Sequence, residues 1–375
     1  MASSLARAFP GTASLPHAGI ATVPTSVDQL PELAEELGMV RLMVKRDDLT
    51  SPLYGGNKVR KLEFLLGQAV ADGCKSVITY GAYGSNHALA TAVHSRALGL
   101  EPHAVLSPQE PGPFAGATLR AHAGLGTVLY PVDGWDGARE AVRAKAELTE
   151  RDGVEPCVIP MGGTSALGSI GYVEAAIELV DQLRELNAGI DASDMSEYFR
   201  PDAIYVAAGT LGTAIGLAIG LAAVGAHTRV IAIRVTPEQV ITEQIAMQLT
   251  EDTVALLRSV DPTFPDLRFS ELEFELRDDW FEPGYGVVTR ETEEAVSIAA
   301  SVGITLETTY TGKAFAAMVA DGRNGELRRT QVLFWDTYSS APRPGPGDVA
   351  ALPEVLRDYV AECDSMFAAE KGSDR

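Results

Sequence analysis

The sequence predicts an α/β protein built on two open, twisted, mostly parallel sheets with helices on both faces. Three observations predict it. The chain has 375 residues, too many for one simple core and suited to two domains. From near residue 60 onward, short apolar runs alternate with amphipathic segments. The connections between them are short, as parallel strands joined by crossover helices require.

Taken in order, Lys58 to Ala71 reads as a helix, Ser76 to Tyr80 as a strand and Asn86 to Leu98 as a helix. A strand at His103 to Ser107 follows, then a helix around Gly116 to Ala123 and a strand at Thr127 to Val132. Trp135 to Glu150 reads as a helix and Cys157 to Pro160 as a strand. Gly168 to Leu186 is helical because Ile170, Val173, Ala176, Ile177 and Val180 recur close to a 3.6 period. Ala203 to Ala207 is a buried strand, Thr213 to Val224 a helix, Arg229 to Val235 a strand and Glu238 to Ser259 a helix. The polar stretch Asn187 to Arg200 is a surface loop or short helix. Gln331 to Asp336 is a late strand, and Pro342 to Gly347 is a turn-rich connector before a C-terminal helix.

Charge narrows the function classes. The chain carries 30 Lys and Arg against 51 Asp and Glu, a formal net charge of −21. That balance opposes non-specific attachment to nucleic acid or an anionic membrane, and neither partner is expected. The apolar run from Val206 to Val224 is broken by glycines and threonines, so it reads as strand, loop and helix rather than a membrane span. Cys74, Cys157 and Cys363 are far apart and odd in number, with no disulfide framework or zinc spacing, which fits a reducing compartment. The N-terminus has no basic start followed by a long apolar stretch, so a cytoplasmic protein without a secretory signal is expected.

Four segments carry candidate chemistry. In Tyr54-Gly55-Gly56-Asn57-Lys58-Val59-Arg60-Lys61, two glycines let the backbone turn tightly and approach a planar ligand. Lys58 then falls in the first turn of a helix with Lys61 nearby. A second cation and partial burial would lower its pKa, as a Schiff-base amine needs. In Gly81-Ala82-Tyr83-Gly84-Ser85-Asn86-His87 a strand leads into a helix N-terminus, where free N–H groups hold an anion. Ser and Asn are also ordinary helix caps. Ala208-Gly209-Thr210-Leu211-Gly212-Thr213 has the small residues and hydroxyls of a phosphate-cradling loop, without the lysine of a Walker A motif. The last segment is Glu307-Thr308-Thr309-Tyr310-Thr311-Gly312-Lys313, preceded by Pro283-Gly284-Tyr285-Gly286. Each segment alone also fits a turn, a cap or a solvated face.

In this order, the four segments resemble the family of 1-aminocyclopropane-1-carboxylate (ACC) deaminases and D-cysteine desulfhydrases, within the tryptophan-synthase-β-like group of pyridoxal 5'-phosphate (PLP) enzymes. The resemblance spans about Lys45 to Lys313. It implies a large cofactor domain formed by residues 1–60 and 169–375, a smaller inserted domain over 61–168, and a homodimer. Lys58 would carry PLP as a Schiff base and move the proton at the substrate α-carbon, with Lys61 beside the cofactor phosphate. The loop Ala208, Gly209, Thr210, Leu211, Gly212 and Thr213 would hold that phosphate. Asn86 would bond the cofactor's phenolic oxygen or phosphate side, and Ser85 and His87 would meet the carboxylate of a small amino-acid substrate. Tyr285 and Tyr310 would flank the substrate, and Thr311 would partner the pyridine nitrogen.

Thr311 bears on the reaction. A carboxylate at that position, as in the ACC deaminases, keeps the ring nitrogen protonated and makes a strong electron sink, whereas a hydroxyl stabilises a pyridinium less well. Elimination of a thiolate demands less of the sink. The expected activity is therefore D-cysteine desulfhydrase-type α,β-elimination to pyruvate, ammonia and sulfide. ACC deamination to 2-oxobutanoate and elimination from another β-substituted amino acid are the alternatives. A non-catalytic PLP-carrying or amino-acid-sensing protein is the rival from another class. The chain departs from the family's usual residues at Tyr83-Gly84, Ser107 to Glu110 and Val287 to Thr289.

Overall fold

A computed structural model describes residues 2–134, 137–191 and 198–373. In chain order the elements are α1 (Ser4–Ala8), β1 (Val27–Gln29), α2 (Pro31–Glu36), β2 (Arg41–Arg46), α3 (Asn57–Ala71), β3 (Ser76–Ala82), α4 (Asn86–Ala97) and β4 (Glu101–Ser107). Next come α5 (Pro113–Leu125), β5 (Val128–Pro131), α6 (Gly137–Asp152), β6 (Cys157–Ile159), α7 (Ala166–Leu186), β7 (Ala203–Ala208) and α8 (Gly212–Ala223). The chain finishes with β8 (Arg229–Arg234), α9 (Glu243–Val260), β9 (Phe274–Arg277), α10 (Arg290–Ser301), α11 (Thr311–Arg323), β10 (Gln331–Asp336) and α12 (Glu354–Ser373).

Two sheets form, as the alternation predicts. The larger has the order β1-β2-β10-β7-β8-β9 and is parallel except for its edge strand β1. The smaller, β5-β4-β3-β6, is parallel throughout. The central strands β7 and β10 are buried at every residue, which explains their unbroken apolar runs. Helices α7 and α8 cover one face of the large sheet with Ile170, Val173, Ile177, Ile215 and Ile219. The other face holds Phe315 and Met318 of α11 against Phe334.

Strand β2 escaped the sequence reading because Arg41-Leu42-Met43-Val44-Lys45-Arg46 is bracketed by charges. It pairs in parallel with β10, from Arg41 opposite Gln331 to Arg46 opposite Asp336. Its Lys45 is fully buried and reaches Glu178 at 2.6 Å. The single helix read over Glu238 to Ser259 is instead a short turn at Glu238–Val240 followed by α9. Thr242 ends the turn by capping α9, its hydroxyl accepting from the Ile245 N–H at 3.1 Å. The helix read from Trp135 starts at Gly137 among the described residues; Trp135 and Asp136 lie outside them, as do residues 192–197 of the predicted loop. The terminal helix α12 packs away from the large sheet, placing Leu356, Tyr359 and Val360 with Leu119 of α5. No helix among the described residues is long and apolar enough to cross a membrane.

Candidate active site

The site lies at the carboxyl ends of strands from both sheets, the place where open parallel sheets receive ligands. One pocket there is lined by Lys58, Lys61, Ser85, Asn86, His87, Ala208, Gly209, Thr210, Leu211, Thr213, Tyr285, Tyr310 and Thr311. Residues scattered over more than 250 positions thus meet in one cavity. Gly212 stands directly behind it, where an added Cβ would fall 2.8 Å from Lys61 Nζ.

Lys58 enters on α3 because the preceding turn requires glycine. Gly56 has φ of +88°, and a Cβ there would meet the Thr337 carbonyl at 2.7 Å. Lys58 Nζ donates to Asn57 Oδ1 at 2.7 Å, and Asn57 Nδ2 donates to Thr213 Oγ1 at 3.0 Å. Desolvation lowers the Lys58 pKa to about 8, against an opposing pull from Glu307. One turn on, Lys61 donates to the Gly162 carbonyl at 3.1 Å and to Thr164 Oγ1 at 3.3 Å. Burial, then the neighbouring Lys58, pushes its pKa well down. Among the described residues neither lysine is paired with a carboxylate.

That pair of desolvated amines is what an anionic cofactor would relieve. The loop 208–213 fits a phosphate: it leaves β7, opens α8, and offers helix N–H groups with the Thr210 and Thr213 hydroxyls. Leu211 sits at φ of +65°, a conformation that non-glycine residues rarely adopt and that recurs at ligand-binding turns. The residues present fit PLP: an amine for its aldehyde, a loop for its phosphate and a hydroxyl-bearing wall for its ring.

On the facing side, Ser85 caps α4 by accepting the Ala88 N–H at 3.2 Å. Its hydroxyl therefore does serve as a helix cap, with its proton still available to a ligand. The His87 imidazole is turned into the fold. Thr79 donates its one proton to the Ile159 carbonyl at 3.0 Å, so His87 Nε2, 2.9 Å away, must be the protonated nitrogen. Burial, with Lys58 and Lys61 nearby, drives the His87 pKa well down against the pull of the Pro160 carbonyl, and among the described residues Nδ1 has no partner. A neutral ring with no free N–H offers a carboxylate little, so the His87 backbone at the helix N-terminus is the stronger donor.

Tyr285 and Tyr310 meet through their hydroxyls at 2.5 Å, with the rings edge-on and 6.0 Å apart. Tyr310 also packs on the phosphate loop, where a Cβ at Gly209 would lie 3.2 Å from its ring. Desolvation raises both phenol pKa values, that of Tyr310 strongly, so both stay protonated. Thr311 is the first residue of α11 and is tied to Glu307, a residue whose role sequence reasoning missed. Glu307 accepts the N–H groups of Thr309, Tyr310 and Thr311 at 2.7, 2.8 and 2.8 Å, and Thr311 Oγ1 lies 3.2 Å from its Oε1. Burial raises the Glu307 pKa against these bonds. Its spacing ahead of a helix start was the available signal.

Other lining residues had weaker signals. Tyr54 immediately precedes the two glycines, and Thr337, Tyr338 and Ser339 follow the carboxyl end of β10. Tyr83, one of the departures noted above, points away from the pocket and packs edge-on against Tyr359 of α12 at 4.7 Å. Gln109, another, holds the Gly84 N–H at 2.9 Å and steadies the turn before Ser85. Val287 and Val288 are exposed.

Two parallel sheets meeting over a lysine, a helix-capped phosphate loop and a second helix N-terminus define a PLP enzyme of the two-sheet class. Residues 20–337 match the family described as "Pyridoxal-phosphate dependent enzyme", and the chain belongs to it. It is 34% identical over 321 residues to a putative 1-aminocyclopropane-1-carboxylate deaminase of Pyrococcus abyssi, covering 84% of this chain and 88% of that one. It is also 34% identical over 314 residues to a D-cysteine desulfhydrase of Salmonella schwarzengrund, covering 81% and 88%. Among solved structures, an ACC deaminase homologue superimposes with a TM-score of 0.73 at 32% identity, covering 89% of this chain and 95% of that one. A tomato (Solanum lycopersicum) threonine deaminase shares the fold, with a TM-score of 0.58 at 17% identity over 96% of this chain and 88% of its own.

Proposed function

We propose that this PLP-dependent enzyme eliminates the β-substituent of a small amino acid, with D-cysteine converted to pyruvate, ammonia and sulfide at the expense of one water. The observation that carries the choice is the Glu307–Thr311 unit. Its carboxylate is committed to three backbone N–H groups, and a neutral hydroxyl is what α11 offers at its first residue. Such a wall suits expulsion of a good leaving group better than opening of a cyclopropane.

PLP, when bound, supplies the electron sink for the carbanion formed at the α-carbon. In this reading Lys58 holds the cofactor and, once the substrate has displaced it, moves the α-proton. Lys61 and residues 208–213 hold the phosphate. The N-terminus of α4, with Ser85 and Asn86, holds the substrate carboxylate. Tyr285 and Tyr310 both stay protonated; one hydroxyl donates to the other, and the remaining proton is directed toward the departing sulfur. The two units, 1–60 with 169–375 and 61–168, enclose the substrate, and a cytoplasmic homodimer accords with this chemistry.

Incubating the cofactor-loaded protein with D-cysteine, L-cysteine, D-serine and ACC, and assaying keto acid and sulfide, tests the proposal. Pyruvate with equal sulfide from D-cysteine is expected. Keto acid from ACC alone would replace it with the deaminase reading, which the Pyrococcus relative's name favours. Turnover of nothing in the panel by a yellow protein would point to a non-catalytic carrier or sensor.

A further inference from the structure

We propose that Lys313 is a positioning residue whose ammonium ties the turn 281–286 to α11 and so holds the Tyr285 hydroxyl against Tyr310 at the pocket wall. Lys313 is the third residue of α11, at the helix end that forms one side of the site. It is 1% exposed, so its ammonium has given up its water. Among the described residues no carboxylate pairs with it. Nζ donates instead to the carbonyls of Phe281 at 2.9 Å and Gly284 at 3.0 Å. A buried ammonium without acceptors is strongly disfavoured, so both bonds are held firmly. The Phe281 carbonyl also accepts the Gly284 N–H at 3.1 Å, and the turn closes around the ammonium.

Little else holds this turn. Glu282, Pro283, Gly286, Val287 and Val288 are exposed. Among the described residues no other side chain bonds the backbone of residues 281–288. Arg234 reaches the near end, with its guanidinium carbon 4.8 Å from the Phe281 ring centre. At the far end, the Gly284 carbonyl depends on Lys313. Tyr285 comes next, and it is the one residue between Val240 and Glu307 that lines the pocket. Its hydroxyl lies 2.5 Å from that of Tyr310, which directly precedes α11. The start of α11 therefore grips the turn twice, at the Gly284 carbonyl and at the Tyr285 hydroxyl. The first grip sets the backbone from which the second is made, and releasing it costs the hydroxyl pair its geometry. Lys58 and Lys61 on α3 and the loop 208–213 belong to other elements, so the hold on the cofactor does not depend on this turn.

The proposal rests on the reading above in one respect, that the Tyr285–Tyr310 pair supplies a proton in the reaction. It is tested on the cofactor-loaded protein with Lys313→Met, which keeps most of the side-chain volume and removes the donors. Amide hydrogen exchange of the peptide spanning 278–289 is expected to quicken about tenfold, with cofactor affinity and exchange of residues 208–213 unchanged. For the panel amino acid that is turned over, kcat should fall toward the Tyr285→Phe value with KM little changed. In a Tyr285→Phe background Lys313→Met should add nothing to that loss. Lys313→Gln retains N–H donors for the same carbonyls and should act in the same direction by a smaller factor. It carries the test if Lys313→Met fails to fold. Parent-like exchange in both variants, faster exchange with unchanged kcat, or a loss that multiplies in full with Tyr285→Phe would overturn the proposal. So would a parallel loss of cofactor affinity, which would make Lys313 a support of α11 as a whole. Exchange is read without turnover, so a panel in which no amino acid reacts overturns the proposed reaction and not this result.

Discussion

Arg60 grips Asp47 with two nitrogens, at 2.8 and 2.9 Å, one residue before Lys61 and two after Lys58. The same guanidinium bonds both oxygens of Glu178 on α7 at 2.9 Å, and Tyr172 and Trp335 each donate to Asp47 at 2.8 Å. Lys45 and Arg60 balance Asp47 and Glu178, so no net charge is buried. The network locks the first turn of α3, and with it the lysine pair, to the large sheet. Removing one member leaves an uncompensated buried charge. Arg60→Met is expected to cost about 3–5 kcal/mol, measured as a shift of the urea midpoint.

Lys58→Ala is expected to fold and to lose both the cofactor's visible band and all keto-acid production. Retention of the band after dialysis would show that another amine carries the cofactor. In the parent protein, capture of added PLP needs the neutral amine. Its rate should therefore rise with pH and level off above about pH 8.

The same lowered pKa predicts a stability profile. With Lys58 at about 8 in the folded state and about 10.4 unfolded, the unfolded chain binds more protons between those values. The Lys58 contribution to stability of the cofactor-free protein therefore rises with pH across that window. Lys58→Met should flatten that rise in melting temperature; an unchanged slope would contradict the assignment.

Asp336 predicts the opposite sign. It is fully buried beside Asp48, one oxygen accepts the Tyr338 N–H at 3.2 Å, and the other has no partner among the described residues. Burial, with Asp48 next, raises its pKa well above the ordinary carboxyl value. The folded state then holds a proton that the unfolded state has lost above about pH 4, so stability falls as pH rises from there toward the folded value. Asp336→Asn removes that loss, and its melting temperature at pH 7 should be at or above that of the parent.

Tyr285→Phe and Tyr310→Phe each delete one hydroxyl of a hydrogen-bonded pair. If the pair donates a proton in the reaction, kcat should fall about 10²-fold in either variant with KM little changed. The double variant should be no worse than the poorer single one. Equal losses in kcat and cofactor binding would instead make the pair a wall of the site.

The sequence by itself determined the alternation of strands and helices, the two parallel sheets and the lysine after a glycine turn. These are properties of neighbouring residues: the period of apolar side chains, the backbone freedom of Gly56 and the capping by Ser85. Helices α3, α7 and α8 came out within two residues of their observed limits because each carries a continuous apolar face. What only the tertiary structure decided depends on contacts distant in sequence. Strand β2 was not read as an element, and its Lys45 is accounted for only by Glu178, which lies against it inside the fold. Glu307 looked like part of a turn until its carboxylate was seen holding the start of α11. His87 looked free until Thr79 claimed its proton. Tyr54 looked like a turn residue until its hydroxyl was seen donating to Asn86 Oδ1, 32 residues away. Local pattern specifies which face of an element is apolar. Which polar group meets another across the fold follows from how the faces pack, and that packing is set by the whole chain.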